Sequence, residues 1–441
     1  MNILVKIRGS FGLNLVQILS VVIINLVLVK RFGLKNMDLY YYFQTIFQLL
    51  FFFTASVLFN SLLIFKRDLK KELTFLTVLY LILGPFLLLF NYTDVISNFR
   101  SFDISLINSI FFLWIIRGYL VYVLNILKLN DINRYTNFEI IELAVISLLI
   151  LIVAFEKIES YIYLMIFSKS LLLLILFFNL NIQSIKEQYS FKLYFKKFSV
   201  LYVSNLTGYI YSFSEKTFLL SLDPGILSVF TLAQKFVNPI SSVISGSNNL
   251  IIIFKTQLME KIIFLKSILS FNINISIAIS LISFIALDFM PQLMFDFISV
   301  NPVDKNIFIV ISKLLIIAVP FSSAVVIFKK KLLANGEIKI IMIINVIGSV
   351  LQLLLLFFLP IAGINKVIYL LLITSILICF TYHFLIFRLS YFKINLFLWV
   401  LFIIVTFLLD QLWVTMLSAL VILFFNITEI FIQRKKLSQI E

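Results

Sequence analysis

The sequence predicts an all-α polytopic membrane protein of about 14 transmembrane helices, and three observations carry that expectation. The 441 residues are 62% hydrophobic and only 13% charged, against about 45–50% apolar and about 25% charged in soluble domains. The apolar residues gather in long runs, many close to the roughly 20 residues that cross a bilayer. Between those runs the basic residues alternate, rich then poor, as loops on opposite sides of a membrane do. A soluble chain of this length could not cover its surface with so few polar residues.

Each span is bounded by charges or turn residues. Span 1 covers 11–29 and stops at Lys30 and Arg31; span 2 covers 41–65 and stops at Lys66 and Arg67. Spans 3 and 4 (73–90 and 104–124) flank a polar stretch ending at Asp103. Spans 5 and 6 (141–155 and 161–180) are parted by Glu156 and Lys157. Span 7 (200–222) follows Lys196 and Lys197 and meets span 8 (225–254) across Asp223 and Pro224. Span 9 (268–289) opens after Lys266, and span 10 (308–328) closes on Lys329, Lys330 and Lys331. Span 11 (340–359) ends at Pro360 and span 12 (367–387) at Arg388. Spans 13 and 14 (396–409 and 413–432) are separated by Asp410 and Gln411.

With the N-terminus inside, 24 of the 36 basic residues fall on inner segments, 7 on outer segments and 5 within spans. One helix more or fewer would invert that alternation downstream, so charge and hydropathy support each other. The expected location is a bacterial inner (cytoplasmic) membrane with both termini cytoplasmic. No cleavable signal peptide is expected, because no small-residue cleavage site precedes Lys30. The net charge of +15 is then mostly topology, and nucleic acid is not an expected partner. One cysteine, Cys379, and one histidine, His383, exclude a disulfide framework and a multi-histidine metal centre. No cofactor is expected.

An internal repeat supports the count. FNSLLIFKRDL (59–69) matches NNLIIIFKTQL (248–258), and NILKLNDINRYTNFEIIEL (125–143) parallels KKLLANGEIKIIMIIN (330–345). Both offsets correspond to six spans, an even number that preserves orientation, so the halves would be parallel repeats. The expected organisation is an N-lobe at 1–190, a C-lobe at 191–390, and two appended helices at 391–441.

A charge in mid-bilayer costs roughly 2.5–3.5 kcal/mol on insertion scales, which makes the in-span charges candidates for function. They are Arg117, Lys169, Lys216, Lys235 and Lys313, against Glu215, Glu429 and, at the start of span 5, Glu139 and Glu142. A cationic surplus facing a cavity suits an anionic phosphate or pyrophosphate group. The competing explanations are structural. Lys313 lies one turn inside its span and can snorkel. Glu215 and Lys216 are adjacent, point about 100° apart on a helix, and can each pair with a neighbouring helix. Arg117 and Lys235 lie deeper, beside Trp114, Gly118, Gln234 and Asn238. Further polar residues in paired spans of the two halves suggest a shared cavity: Asn14, Gln17, Gln44, Gln48, Asn205 and Asn238. Interhelical hydrogen bonding, worth about 0.6 kcal/mol on average, is the plain alternative.

Three stretches give the chain a resemblance to the multidrug/oligosaccharidyl-lipid/polysaccharide exporter superfamily and, within it, to bacterial lipid-linked oligosaccharide flippases. They are VLVKRFGLKNMDLYYYFQTIFQLL (27–50), SFSEKTFLLSLDPGILSVFTLAQKFVNPI (212–240) and LLANGEIKIIMIINVIGSVLQLLLLFFLPIAGI (332–364). The resemblance implies two six-helix lobes around a central cavity and alternating access for an undecaprenyl-pyrophosphate-linked sugar. The in-span cations Lys235, Arg117, Lys169 and Lys216 are the candidate cavity cations, and Arg31, Asp38 and Glu215 the candidate gating residues. The opening is most similar to lipid II flippases, whose cavity arginines on helices 1 and 2 fall here on Ile18, Ile24 and Phe51. Only the helix 8 position keeps a cation, Lys235, and Asp38 keeps the acid that opens helix 2. This departure favours an O-antigen, capsule or related polysaccharide repeat unit as cargo, with lipid II as the alternative. The expected partners are the bilayer, the polyprenyl-linked glycan and other polysaccharide-assembly proteins, and the expected state is a monomer. A drug/cation antiporter would want acids in the cavity, and a polymerase or glycosyltransferase would want larger outer loops; neither pattern is present.

Overall fold

The computed structural model describes residues 3–51, 104–130, 132–153, 155, 157–179, 191–244, 262–289, 302–335, 337–387 and 399–400, with a few positions at 74–81 and 421–429. Among them there is helix and no strand. The helices are α1 (Ile3–Phe51), α2 (Ile104–Asn130), α3 (Ile132–Ile152), α4 (Ile158–Asn179) and α5 (Phe191–Leu220). They continue with α6 (Ile226–Ile244), α7 (Ile262–Phe289), α8 (Pro302–Ala334), α9 (Ile338–Phe358) and α10 (Ile364–Phe387). Most of spans 3, 13 and 14 lies outside the described residues, as does the turn following span 8.

Among the described residues, five stretches are long and apolar enough to cross a membrane: Ile158–Phe178, Leu269–Leu287, Lys305–Lys329, Lys339–Phe358 and Gly363–Ile386. The chain is a multi-pass membrane protein. Two of its helices display the outward face directly. On α4 the exposed apolar residues include Phe167, Leu171, Leu174 and Phe178; on α9 they include Ile343, Ile347, Val350, Leu354 and Phe357. Both sets follow the three- and four-residue steps of one helical face.

The spans expected at 11–29 and 41–65 are joined with no loop between them. Residues 11–29 and 41–51 belong to α1, whose helical path among the described residues is interrupted at Gly33 alone (φ 75°, ψ 158°). That backbone region is essentially restricted to glycine, and it turns the chain where the sequence suggested a longer outer segment. Residues 34–40 contain no proline and continue as helix. Just beyond the break, Asn36 donates its side-chain amide to the Phe32 carbonyl (2.9 Å), satisfying an acceptor of the kind that a helix end exposes.

Other helices also outrun their apolar cores. Helix α2 reaches Asn130 and α3 begins at Ile132. Helix α5 starts at Phe191 and carries Lys192, Lys196 and Lys197 in helical structure. Helix α8 includes Lys329–Lys331 and ends at the expected turn: the Asn335 N–H donates to the Lys331 carbonyl (3.0 Å) and the Glu337 N–H to that of Leu332 (2.8 Å). Hydropathy locates the membrane-crossing part of a helix, and helical structure continues into the charged residues beyond it. The Pro360-to-Gly363 exit of span 11 takes the left-handed backbone at Gly363 (φ 64°) before α10.

Contacts divide the chain into two compact units, Val27–Leu220 and Met1–Leu26 with Ser221–Glu441. In the unit Val27–Leu220, α2 packs on α3 and α4, and Leu120, Val123, Leu124 and Leu127 of α2 bury against Leu172 and Leu176 of α4. In the other unit α8 is the central helix, packed on α6, α7, α9 and α10. Its interface with α7 includes a hydroxyl-to-hydroxyl contact. Ser270, Asn272, Asn274, Ser276 and Ser280 are buried on α7, and Ser323 of α8 donates to Ser276 (3.2 Å). Trp399, fully buried, donates its indole N–H to the Ile317 carbonyl of α8 (3.0 Å), one turn before Pro320, which sits inside that helix.

Candidate functional site

Within Val27–Leu220 the charged residues of the spans are held in different ways. Lys169 of α4 forms an ion pair with Glu142 of α3, both largely buried. A cation so neutralised is a helix-to-helix tie, and a cargo anion would have to compete with Glu142 for it. Arg117 of α2 is exposed, with its guanidinium carbon 4.6 Å from the centre of the Trp114 ring. That stacking orients the planar cation, and Glu142 and Glu139 are among the groups that act on it electrostatically. Gly118, next to it, is buried, and a Cβ there would overlap the Tyr80 hydroxyl.

Glu215 and Lys216 on α5 are both buried, and Tyr211 donates its hydroxyl to Glu215 (3.2 Å). Asp38 is buried on the second arm of α1. Gln44 donates its amide to the Tyr40 hydroxyl (2.6 Å), and Tyr40 meets Tyr161 of α4 edge-on at 6.2 Å. Arg31, just before the Gly33 break, donates to the Val153 carbonyl and lies 5.5 Å from the centre of the Phe155 ring. It therefore ties the α1 kink to the α3–α4 connection.

In the unit formed by Met1–Leu26 and Ser221–Glu441, Lys235 of α6 is half-buried and donates its ammonium to the Asn25 side-chain oxygen (2.9 Å). The two residues line a cavity of about 10 Å³ with Val21, Val22, Leu26, Leu232, Phe236 and Phe308. Its walls are otherwise apolar, which strengthens any polar contact made inside. Gln234 is half-buried and Asn238 exposed on the same helix. Lys313, expected to snorkel, lies over the Phe284 ring (4.9 Å). The side chains of Asn14, Gln17, Gln48 and Asn205 lie outside those described. Among the described residues no three potential metal ligands come together, and Cys379 is a buried free thiol.

Sequence reading missed Asn25 and the partnership of Lys169 with Glu142. Asn25 was visible as a lone amide in an apolar run; its partner, 210 residues away, was not.

No family profile matches the chain and no curated protein matches it. Solved structures do. "Lipid II flippase MurJ, inward closed conformation" aligns with 97% of this chain and 98% of its own length, at TM-score 0.65 and 16% identity. A structure of the MATE multidrug transporter DinF-BH aligns with 88% of this chain and 95% of its own length, at TM-score 0.60 and 14% identity. A MATE structure in complex with MaL6 aligns with 85% of this chain and 94% of its own length, at TM-score 0.56 and 14% identity. The chain thus has the fold shared by this flippase and these transporters.

Proposed function

We propose that this chain is a flippase, not an enzyme, and that it carries an undecaprenyl-pyrophosphate-linked oligosaccharide from the inner to the outer leaflet by alternating access. The carrying observation is Lys235, an ammonium inside an apolar cavity whose described hydrogen bond goes to the neutral amide of Asn25. Its site suits a pyrophosphate, because an ammonium and a phosphate oxygen make a charge-assisted hydrogen bond in which both partners are ionised. Arg117, exposed and stacked on Trp114, is the second cation assigned to the cargo. Lys169 passes from cargo ligand to structural tie, given its ion pair with Glu142.

The cargo is an O-antigen, capsule or related repeat unit, and the protein acts as a monomer in a bacterial inner membrane with both termini in the cytoplasm. Replacing Lys235 with Ala should weaken binding of undecaprenyl pyrophosphate roughly ten- to a hundredfold and abolish complementation of a flippase-null strain, with normal membrane insertion. Full activity of that variant would sink the reading. Lipid II is the second reading, favoured by the fold match to a lipid II flippase over nearly the whole chain. Rescue of cells depleted of their lipid II flippase would decide for it; rescue only of a polysaccharide-flippase deletion would decide for the repeat unit.

A further inference from the structure

On the expected topology only 7 of the 36 basic residues fall on outer segments, as loops that cross the membrane during insertion are depleted of them. Four of those seven, Lys30, Arg31, Lys35 and Lys157, belong to two segments of the unit Val27–Leu220: the α1 break and the α3–α4 connection. Arg31 brings the segments together, donating to the Val153 carbonyl and lying 5.5 Å from the centre of the Phe155 ring. Lys157 follows Phe155 by two residues, which keeps the two Cα atoms within about 7.6 Å. Lys30 directly precedes Arg31 and Lys35 stands just past the break; both, like Lys157, are exposed. The acids of these segments are fewer. Asp38 is buried, Glu159 is half-buried in the first turn of α4, where an acid complements the helix dipole, and Glu156 lies outside the described residues. Snorkelling accounts for any one of these lysines, but not for four cations gathering on the side where basic residues are scarce.

The cations stand at the head of an apolar surface. Starting from the α3–α4 connection, α3 exposes Ile152, Leu148, Val145 and Ile141, and α4 exposes Tyr163, Phe167, Leu171 and Leu174. Each set steps by three or four residues, along one face of its helix. The α3 set extends about 16 Å at ~1.5 Å per residue, half of the roughly 30 Å hydrocarbon core and so the depth of one leaflet. We propose that the α1 break and the α3–α4 connection form a site for an anionic phospholipid, with Lys30, Arg31 and Lys157 on its headgroup phosphate and its acyl chains along α3 and α4. This goes beyond the cargo assignment and does not depend on it. Arg31 carries five N–H donors, so its bond to Val153 leaves it able to meet a phosphate. A zwitterionic lipid would bring its own ammonium into the cationic site and is the weaker ligand. A phosphate shared between α1 and Lys157 ties the kink to the connection a second time, so the bound lipid steadies the bend at Gly33.

The test uses the full chain in detergent, given phosphatidylglycerol or phosphatidylcholine with identical acyl chains. Native mass spectrometry counts the bound lipids and thermal unfolding reads the stability. Wild type should retain phosphatidylglycerol preferentially and unfold at a higher temperature with it than with phosphatidylcholine. A basic residue near an anionic headgroup is worth about fivefold in affinity, so Lys30→Gln combined with Lys157→Gln should lower the preference about ten- to thirtyfold. Lys305→Gln combined with Lys366→Gln removes the same charge from the same expected side and should keep the preference. Equal loss in both double variants, or none in the first, overturns the site. Should the first double variant fail to insert, Lys157→Gln decides alone: a loss of about fivefold supports the site, and an unchanged preference refutes it. Displacement of phosphatidylglycerol from wild type by equimolar undecaprenyl pyrophosphate would hand these cations to the cargo instead. A dimer that carries no lipid would assign the face to a second copy of the chain, and either result overturns the phospholipid site.

Discussion

Lys169 and Glu142 compensate each other across α4 and α3, Lys313 rests on the Phe284 ring, and Lys235 reaches the Asn25 amide. Each arrangement answers the cost of a charge inside a bilayer differently, and each has its own mutational signature. Breaking a buried pair on one side strands the other charge, at roughly 3–5 kcal/mol, whereas replacing both partners is far milder. Glu142→Gln and Lys169→Met should each lower the unfolding temperature in detergent sharply, and the double variant should recover most of the loss. If the tie is structural, the double variant also keeps its flipping activity; a folded but inactive double variant would return Lys169 to the cargo site.

At the scale of elements, α1 shows how little sequence is needed to turn a helix. Its interruption rests on Gly33, where a side chain would meet no steric neighbour but would have to hold a backbone conformation that costs about 1–3 kcal/mol outside glycine. Gly33→Ala should therefore destabilise the protein by that amount, read as a lowered unfolding midpoint. An unchanged midpoint would mean that α1 passes through this point by another path. Arg31 and Asn36 flank the same break, one tied to Val153 and Phe155 and the other to Phe32. The kink is thus braced on both sides. The Trp399 indole makes a comparable brace on α8 through the Ile317 carbonyl. Trp399→Phe keeps an aromatic ring in the buried site and removes the donor, for an expected loss of about 0.5–1.5 kcal/mol in thermal unfolding.

For the whole molecule, orientation is the property that the proposed transport direction depends on. Lys35 and Lys339 are both exposed and fall on opposite sides of the expected topology. A cysteine at position 35 should react with a membrane-impermeant maleimide added to intact spheroplasts, and one at position 339 only after permeabilisation. The buried native Cys379 should give little background. Labelling of position 339 from outside would reverse the topology.

The membrane class and the presence of an aromatic second arm after a basic-Phe-Gly element were legible in the residues, because hydropathy and charge bias are local. Helix ends were less so: apolar runs report where lipid is, and Lys192, Lys196 and Lys329–Lys331 remain helical beyond it. The candidate site was legible only as a set of residue types. Lys169 and Lys235 looked alike as single lysines in apolar spans; one meets a carboxylate and the other an amide. The sequence by itself determined an all-helical membrane chain and its cationic surplus. Only the tertiary structure decided which cations are neutralised and that Asn25 holds Lys235, because those partners are brought together by helix packing across as many as 210 residues, a distance over which no periodicity in the sequence carries information.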